Sequence, residues 1–363
     1  MSEFLAPRYA NMTPYVPGEQ PKDREYIKLN ANEATVPPCP GVFEALADRT
    51  RLGQLNRYAD PRCLPLRQAV ADRYEMSPDE VFVGNGSDEV LAMIFMAFMQ
   101  PGDRLAFPDV TYGLYHDYAS TFGLAYEEIP LCGDWTIDVD AFAACDAHVV
   151  FPNPNAPTGL RISHDDVARI AAAHPERLVI IDEAYVDFGS KTCAKMVREH
   201  RNLIVVQTMS KSRNLAGAHI GYAFAQSDLV ADLRDIKFSF NPFNVSAPTM
   251  AIGIAALEDE EFFRAYTRAV CEERDTTEEA LRGLGFTVTK SHTNFVFATH
   301  PSITASQLQE RLREAGILTR RFAGVRTGNW LRVSVGTHDE MSAFLRETER
   351  ILRETERILR ELD

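Results

Sequence analysis

The chain has 363 residues, of which 45% are hydrophobic and 25% charged, and its formal net charge is -14 at pH 7. This composition is that of a globular protein with a sizeable core, and the acidic balance disfavours binding to nucleic acid or to an anionic membrane. The longest uncharged apolar stretch, residues 90–99, is about half the length of a membrane-spanning helix.

Residues 1–40 are rich in Pro, Asn and Glu and show little periodicity, which predicts an extended N-terminal arm. No basic segment followed by an apolar one opens the chain, so no secretory signal is expected and a cytoplasmic location is predicted. The six cysteines lie far apart in the sequence without metal-ligand spacing, which favours reduced thiols and predicts no metal site.

From residue 41 onwards, helical patterns such as "LPLRQAVADRY" alternate with short apolar runs, among them "VFVG", "RLAF", "AHVVF", "RLVIID", "NLIVVQT" and "GYAFA". Short runs rich in Val, Ile and Phe that are separated by helices indicate parallel strands buried on both faces. The sequence therefore predicts an α/β large domain over residues 41–245, with a mostly parallel central sheet and helices on both faces.

Residues 246–363 predict a smaller C-terminal α+β domain. One long helix is expected through residues 251–285, followed by strands within "FTVTKSHTNFVFAT", "ILTRRF" and "WLRVSVG" and a helix near "SQLQERLREAG". The segment "RETERIL" occurs twice in succession, at 346–352 and 353–359, and its spacing predicts an amphipathic terminal helix.

Two charged residues stand at strand ends. Lys211 follows "NLIVVQT", and taken alone it reads as a solvated surface lysine. Asp182 ends the apolar strand "RLVIID", where a carboxylate loses its hydration unless a cation faces it. A helix cap or an ion pair would satisfy Asp182, and so would the protonated ring nitrogen of pyridoxal phosphate.

Two loops at strand ends have the residues of a ligand site. "NPNAPTG", residues 153–159, predicts a rigid loop from which Asn155 could donate its amide to a cofactor oxygen. In "VFVGNGSDEV" the free backbone N–H groups of Gly86, Ser87 and Asp88 open a helix and form an anion pocket. The spacing departs from the dinucleotide pattern, so a monophosphate fits better than NAD.

Three further side chains admit two interpretations each. Tyr112 follows "RLAFP", where an aromatic side chain is either core or a platform for a flat cofactor ring. Arg320 and Arg332 lie in predicted strands, where a guanidinium forms a cross-strand ion pair or binds a substrate anion.

Taken in order, these motifs resemble the fold-type I pyridoxal-phosphate-dependent aminotransferases of class I/II, and within them most closely the histidinol-phosphate aminotransferases. The resemblance runs from "TPYVPG" and "LNANE" to "LRVSVGT". It implies that Lys211 bonds to the cofactor aldehyde and moves the substrate proton, that Asp182 pairs with the ring nitrogen, and that Tyr185 contacts the ring oxygen.

The resemblance also implies binding roles for the remaining residues. Cofactor binding falls to Gly86, Ser87, Asp88, Tyr112, Asn155, Ser210 and His219, and to Tyr58 reaching in from a second subunit of a homodimer. Substrate binding falls to Arg332 at a carboxylate, to Arg320 at a phosphate, and to Tyr15 and Asn32 in the arm, which would close over the site. The implied reaction is ping-pong transamination between histidinol phosphate (or imidazole acetol phosphate) and 2-oxoglutarate or glutamate, in histidine biosynthesis.

Two positions depart from the family pattern. Ala156 stands where relatives have an asparagine that contacts the ring oxygen, and His219 stands where they have an arginine at the cofactor phosphate. The sequence leaves open an aromatic amino acid aminotransferase, a decarboxylase of the phosphothreonine type and a non-catalytic binding protein of the same fold. Retention of Lys211, Asp182 and Arg332 together argues against the last of these.

Overall fold

A computed structural model describes residues 2–6, 9, 18–48 and 55–362. Its largest element is a seven-stranded sheet with six parallel strands, in which Gly221–Phe224 alone runs antiparallel to its two neighbours. In spatial order the strands are Val81–Gly84, Gly221–Phe224, Leu203–Thr208, Val179–Asp182, His148–Pro152, Arg104–Pro108 and Ala125–Ile129.

The sheet separates two hydrophobic clusters. Alternate residues of one strand enter opposite clusters, since Val179 and Ile181 pack on one face and Ile180 on the other. The first face is covered by helices Pro40–Ala47, Leu64–Tyr74, Val139–Ala144, His164–Ala173 and Ala247–Glu258. The second face is covered by helices Gly86–Phe98, Leu114–Phe122 and Ser227–Phe240.

A second lobe is built on a four-stranded antiparallel sheet. Its strands, in spatial order, are Arg320–Arg321, Leu331–Ser334, Phe295–Thr299 and Thr287–Val288. Helices Glu260–Gly283, Ala305–Glu314 and His338–Leu362 accompany this sheet, and their apolar side chains form a third cluster with it.

The N-terminal arm reaches this second lobe as a strand. Ile27–Lys28 pairs in parallel with Ile317–Leu318, and the Ser334 backbone N–H donates to the Leu29 carbonyl at 2.9 Å. From this attachment the arm reaches the loops that follow two strands of the large sheet, where Asn32 bonds to Tyr185 and Asn214 donates to the Val36 carbonyl at 3.2 Å.

The predicted α/β class agrees with these elements, whereas the single helix over residues 251–285 is wrong. The chain leaves helical geometry at Asp259, whose carboxylate accepts the Phe262 backbone N–H at 3.0 Å and so starts a new helix. The division at residue 245 stays a prediction, and residues 250–257 pack in the first cluster of the large sheet. In the described ranges no helix is both long and apolar enough to cross a bilayer.

Candidate active site

The predicted site residues follow strands that end at one edge of the large sheet. The strand register sets Asp182 between Pro152 and Val206, and sets Gly221 between Thr208 and Gly84. Because parallel strands present their carboxyl ends on one side, the loops after Gly84, Pro152, Asp182 and Thr208 all emerge there.

The anion pocket depends on two glycines. Gly86 begins helix Gly86–Phe98 with φ +82°, a backbone conformation that favours glycine. A Cβ on Gly221 would lie 2.3 Å from the Ser87 nitrogen, so only glycine allows the two loops to approach this closely. The first-turn N–H groups of Gly86, Ser87 and Asp88 are thereby held at the sheet edge with the positive end of the helix dipole.

His219 lies against this pocket. Its Nδ1 is 3.0 Å from the Asn85 carbonyl oxygen, and since a carbonyl only accepts, Nδ1 is the donor. A Cβ on Gly86 would lie 2.5 Å from the His219 Cε1 atom, which shows how closely the ring covers the glycine. The structure therefore brings His219 to the predicted phosphate pocket, and its contact with a phosphate stays a prediction.

Asp182 is a buried carboxylate at the centre of the edge. It accepts the Tyr115 hydroxyl at 3.0 Å and the Ala184 backbone N–H at 3.1 Å. Burial is the largest influence and raises the pKa of Asp182 to about 6. No lysine, arginine or histidine among the described residues forms an ion pair with this carboxylate.

A chain of contacts links the carboxylate to the anion pocket. Tyr112 donates its hydroxyl to Asp88 Oδ1 at 3.0 Å, and its ring meets the Tyr115 ring edge-on with centroids 5.7 Å apart. Tyr115 in turn reaches Asp182. Sequence patterns did not single out Tyr115, because a tyrosine in the first turn of an amphipathic helix is usually only a core residue.

Lys211 is half-buried in a loop whose other residues are held in place. The Ser210 N–H donates to Thr208 Oγ1 at 3.1 Å, and Ser212 Oγ donates to Asp187 Oδ2 at 2.5 Å. The Arg213 guanidinium is buried over the Phe263 ring, 3.7 Å from its centroid. These anchors on both sides of Lys211 fix the backbone from which its amine projects.

The Asn155 side chain is hydrogen-bonded to other residues of the protein. Its Nδ2 donates to the Val110 carbonyl at 3.0 Å and to Thr158 Oγ1 at 3.1 Å, while its Oδ1 accepts from Thr111. Both amide hydrogens are thus engaged in holding the 153–159 loop. Donation from Asn155 to a cofactor stays a prediction, and it would require one of these bonds to break. Ala156 has no polar side chain with which to replace it.

Tyr185 and the arm meet beside the site. Asn32 Nδ2 donates to the Tyr185 hydroxyl oxygen at 2.9 Å, and Ser334 Oγ donates to Asn32 Oδ1 at 2.9 Å. The Tyr185 oxygen accepts this bond, so its own hydrogen remains the group that can donate to a ligand. Asn32 therefore orients Tyr185, and its direct contact with substrate stays a prediction. Tyr15 lies outside the described residues.

Two guanidinium groups lie side by side in the second lobe. Arg320 and Arg332 are paired across neighbouring strands. Their Cζ atoms lie 5.9 Å and 5.4 Å from the centroid of the same Phe322 ring, and Arg332 also donates to the Asn30 carbonyl at 3.0 Å. Side chains at directly opposite positions of paired strands lie on one face of the sheet, and a guanidinium is suited to binding a carboxylate or a phosphate.

These side chains fit a phosphorylated pyridine aldehyde. A desolvated carboxylate with no cation of its own suits a protonated ring nitrogen, the first helical turn at Gly86 suits a phosphate, and Lys211 provides an amine for the aldehyde. The fold and the site define the protein as an α/β enzyme built to hold a cofactor of this kind.

Comparison with known proteins gives the family. Residues 24–347 match the family described as aminotransferase class I and II, and the chain belongs to it. It is 43% identical over 345 residues to the histidinol-phosphate aminotransferase of Clostridium acetobutylicum, covering 95% of this chain and 98% of that protein. The enzyme of the same name from Gluconacetobacter diazotrophicus is 45% identical, with 94% and 95% covered.

A solved structure shows the same fold. The histidinol-phosphate aminotransferase from Sinorhizobium meliloti, determined in complex with pyridoxal-5'-phosphate, superposes with a TM-score of 0.88 over 98% of this chain and 99% of that one, at 24% identity. The predicted fold-type I architecture and the predicted enzyme class are confirmed.

Proposed function

We propose that the enzyme binds pyridoxal 5'-phosphate and transfers the amino group of histidinol phosphate to 2-oxoglutarate in histidine biosynthesis. The names of relatives at 43–45% identity support this substrate. The observation that carries the proposal is that Arg320 and Arg332 are paired on neighbouring strands of the second lobe, separate from the predicted phosphate pocket at Gly86 in the large lobe.

The cofactor roles follow from the polar contacts. When bound, pyridoxal phosphate supplies a ring that withdraws electrons from the substrate α-carbon. The Asp182 carboxylate would keep the ring nitrogen protonated, and the Tyr185 hydroxyl would donate to the ring oxygen. Ser87, Asp88 and Ser210 would hold the phosphate together with His219, and Tyr112 would stack on the ring.

Lys211 acts as the base. Its Nζ would supply the amine that holds the cofactor aldehyde and, when free of it, the base that moves the proton of the substrate α-carbon. The anchored residues on either side of Lys211 hold the backbone from which Nζ would reach both the cofactor and the substrate.

The two arginines bind anionic substrates. Arg320 takes the phosphate of histidinol phosphate, and Arg332 takes the carboxylate of glutamate or 2-oxoglutarate. Because histidinol phosphate has no carboxylate, one site accepts both substrates in turn, as a ping-pong reaction requires.

A homodimer completes the site. The Tyr58 side chain is 83% exposed and stacks on Phe243 with centroids 4.3 Å apart, while Phe240 is 64% exposed beside it in sequence. Lys237 Nζ also donates to the Pro61 carbonyl. This bond joins the segment that carries Tyr58 to the helix Ser227–Phe240, so the exposed rings of Tyr58, Phe240 and Phe243 belong to one surface. This surface supports contact with a second copy, into whose site Tyr58 reaches.

The enzyme works in the cytoplasm, where its thiols stay reduced. All six cysteines are free in the structure.

Single-turnover spectra with three amino donors test the substrate. Histidinol phosphate is expected to convert the bound cofactor to its amine form, while phenylalanine and phosphothreonine convert it far more slowly. Lys211→Ala serves as the control, since it removes the borohydride-stable adduct and turnover. Conversion by phenylalanine but not by histidinol phosphate would refute the substrate and leave the enzyme class intact.

A further inference from the structure

Arg326 bridges the two lobes through contacts that the proposed function does not use. It lies in the loop 322–330, which joins the two strands that carry Arg320 and Arg332. Its Nη1 donates to Asp109 Oδ2 at 2.8 Å and its Nη2 donates to the Cys132 carbonyl at 3.0 Å. Both acceptors belong to the large lobe.

The guanidinium is also stacked on an aromatic group. Its Cζ lies 4.7 Å from the centroid of the Trp135 ring. Trp135 meets Phe297 and Trp330 edge-on at 5.9 Å and 5.3 Å, and both of these belong to the second lobe. Arg326 therefore lies with one face on a ring that packs between the lobes, and a planar cation on an indole face is a favourable contact.

The Asp109 carboxylate, which accepts from Arg326, also orders the large-lobe side of the contact between the lobes. Asp109 Oδ1 accepts the Leu131 N–H at 2.8 Å, while Asp109 Oδ2 holds Arg326. The turn that follows is closed by the Trp135 N–H, which donates to the Cys132 carbonyl at 3.0 Å. One carboxylate thus fixes both the turn that carries Trp135 and the loop that carries Arg326.

The other end of the loop reaches the substrate arginines. Phe322 is the residue on whose ring the Arg320 and Arg332 guanidinium groups both lie. A cavity of about 390 Å³ opens between the lobes here, lined in part by Asp109, Thr111, Pro157, Phe322 and Thr327. A displacement of the loop would move Phe322 and alter the spacing of the two guanidinium groups.

We propose that Arg326 is a positioning residue, which clasps loop 322–330 to Asp109, Cys132 and Trp135 and thereby sets the geometry of the Arg320 and Arg332 anion site. Its side-chain contacts are with the protein's own Asp109, Cys132 and Trp135. Its effect falls on substrate binding, because the clasp holds the anion site in its binding geometry before substrate arrives.

Steady-state kinetics of Arg326→Gln test the clasp. The KM for histidinol phosphate is expected to rise about tenfold, equivalent to about 1.4 kcal/mol, with kcat within about twofold and the cofactor absorbance unchanged. Arg326→Lys keeps the charge but loses the planar stack, and its KM should lie between those of the wild type and Arg326→Gln. Arg201→Gln removes an exposed ion pair with Asp228 and is the matched control, with no change in KM expected.

A double-mutant cycle separates the clasp from a general loss of stability. Asp109→Asn keeps an oxygen for the Leu131 N–H and should reproduce the rise in KM, and adding it to Arg326→Gln should give little further change. Fully additive effects, or an unchanged KM in folded Arg326→Gln protein, would overturn the proposal.

The inference rests on the proposed function only where histidinol phosphate is the probe. Amide hydrogen exchange of the substrate-free holoenzyme tests it independently, since Arg326→Gln should speed exchange across residues 322–330 and leave helix Gly86–Phe98 unchanged. Faster exchange with no turnover of histidinol phosphate would refute the substrate and support the clasp. Unchanged exchange would refute the clasp.

Discussion

The Asp182 carboxylate is buried, and its burial makes its charge costly. Its pKa is raised from 3.8 to about 6 because burial removes hydration that two hydrogen bonds only partly replace. An acid whose folded pKa is raised destabilises the folded state as pH rises through the window between these two values, here about 4 to about 6. In the cofactor-free protein this shift corresponds to about 3 kcal/mol above that window.

Asp182→Asn should therefore stabilise the cofactor-free protein at pH 8 by up to about 3 kcal/mol and have little effect at pH 3, because the carboxyl is mostly protonated there in both states. The urea midpoint at the two pH values measures this. With pyridoxal phosphate bound the sign should reverse, since asparagine cannot pair with a cationic ring nitrogen. An equal shift at both pH values would show that packing, and not charge, is responsible.

Among the elements, the C-terminal helix places one repeated sequence in two environments. Ile351 in the first "RETERIL" is 0% exposed and packs in the third cluster, whereas Ile358, at the same position of the second repeat, is 49% exposed. Ile351→Ala should lower the free energy of unfolding by about 2–5 kcal/mol through lost burial and a cavity. Ile358→Ala, the matched control, should change it by less than about 0.5 kcal/mol. Chemical unfolding of the two variants compares them, and similar losses would mean that the second repeat is also packed.

The sequence predicted the buried elements better than the exposed or interrupted ones. Leu203–Thr208 was expected to within one residue because all of its side chains are apolar or buried. Ala125–Ile129 was not expected, because as an edge strand it exposes four of its five side chains and lacks an apolar run. The break at Asp259 was missed because apolar spacing continues across it, and only the cap geometry interrupts the helix.

At the scale of the whole molecule, the site draws on segments far apart in the sequence. The sheet edge was predictable, since parallel strands deliver Asp182, Lys211 and the Gly86 turn to one side. The contact of Arg326 with Asp109 was not, because no local pattern links residues 217 positions apart. The same is true of Asn32 and Tyr185, which meet only once the arm has joined the second lobe.

The proposed dimer makes the active site a property of two chains. Tyr58→Ala homodimers should have low activity and Lys211→Ala homodimers none. In a mixed dimer, however, the site with an intact Lys211 receives Tyr58 from the other subunit. One of the two sites in each mixed dimer is intact, so mixed dimers isolated from both homodimers should have about half of the wild-type activity.

Co-expression of the two variants with different affinity tags, followed by tandem purification and assay, measures this recovery. Tyr58→Phe, which keeps the ring stacked on Phe243 but removes the hydroxyl, separates the polar contact from the packing. If Tyr58 serves its own subunit, each mixed dimer carries one defect in each site. Activity would then not exceed the sum of the two homodimers, and the shared site would be wrong.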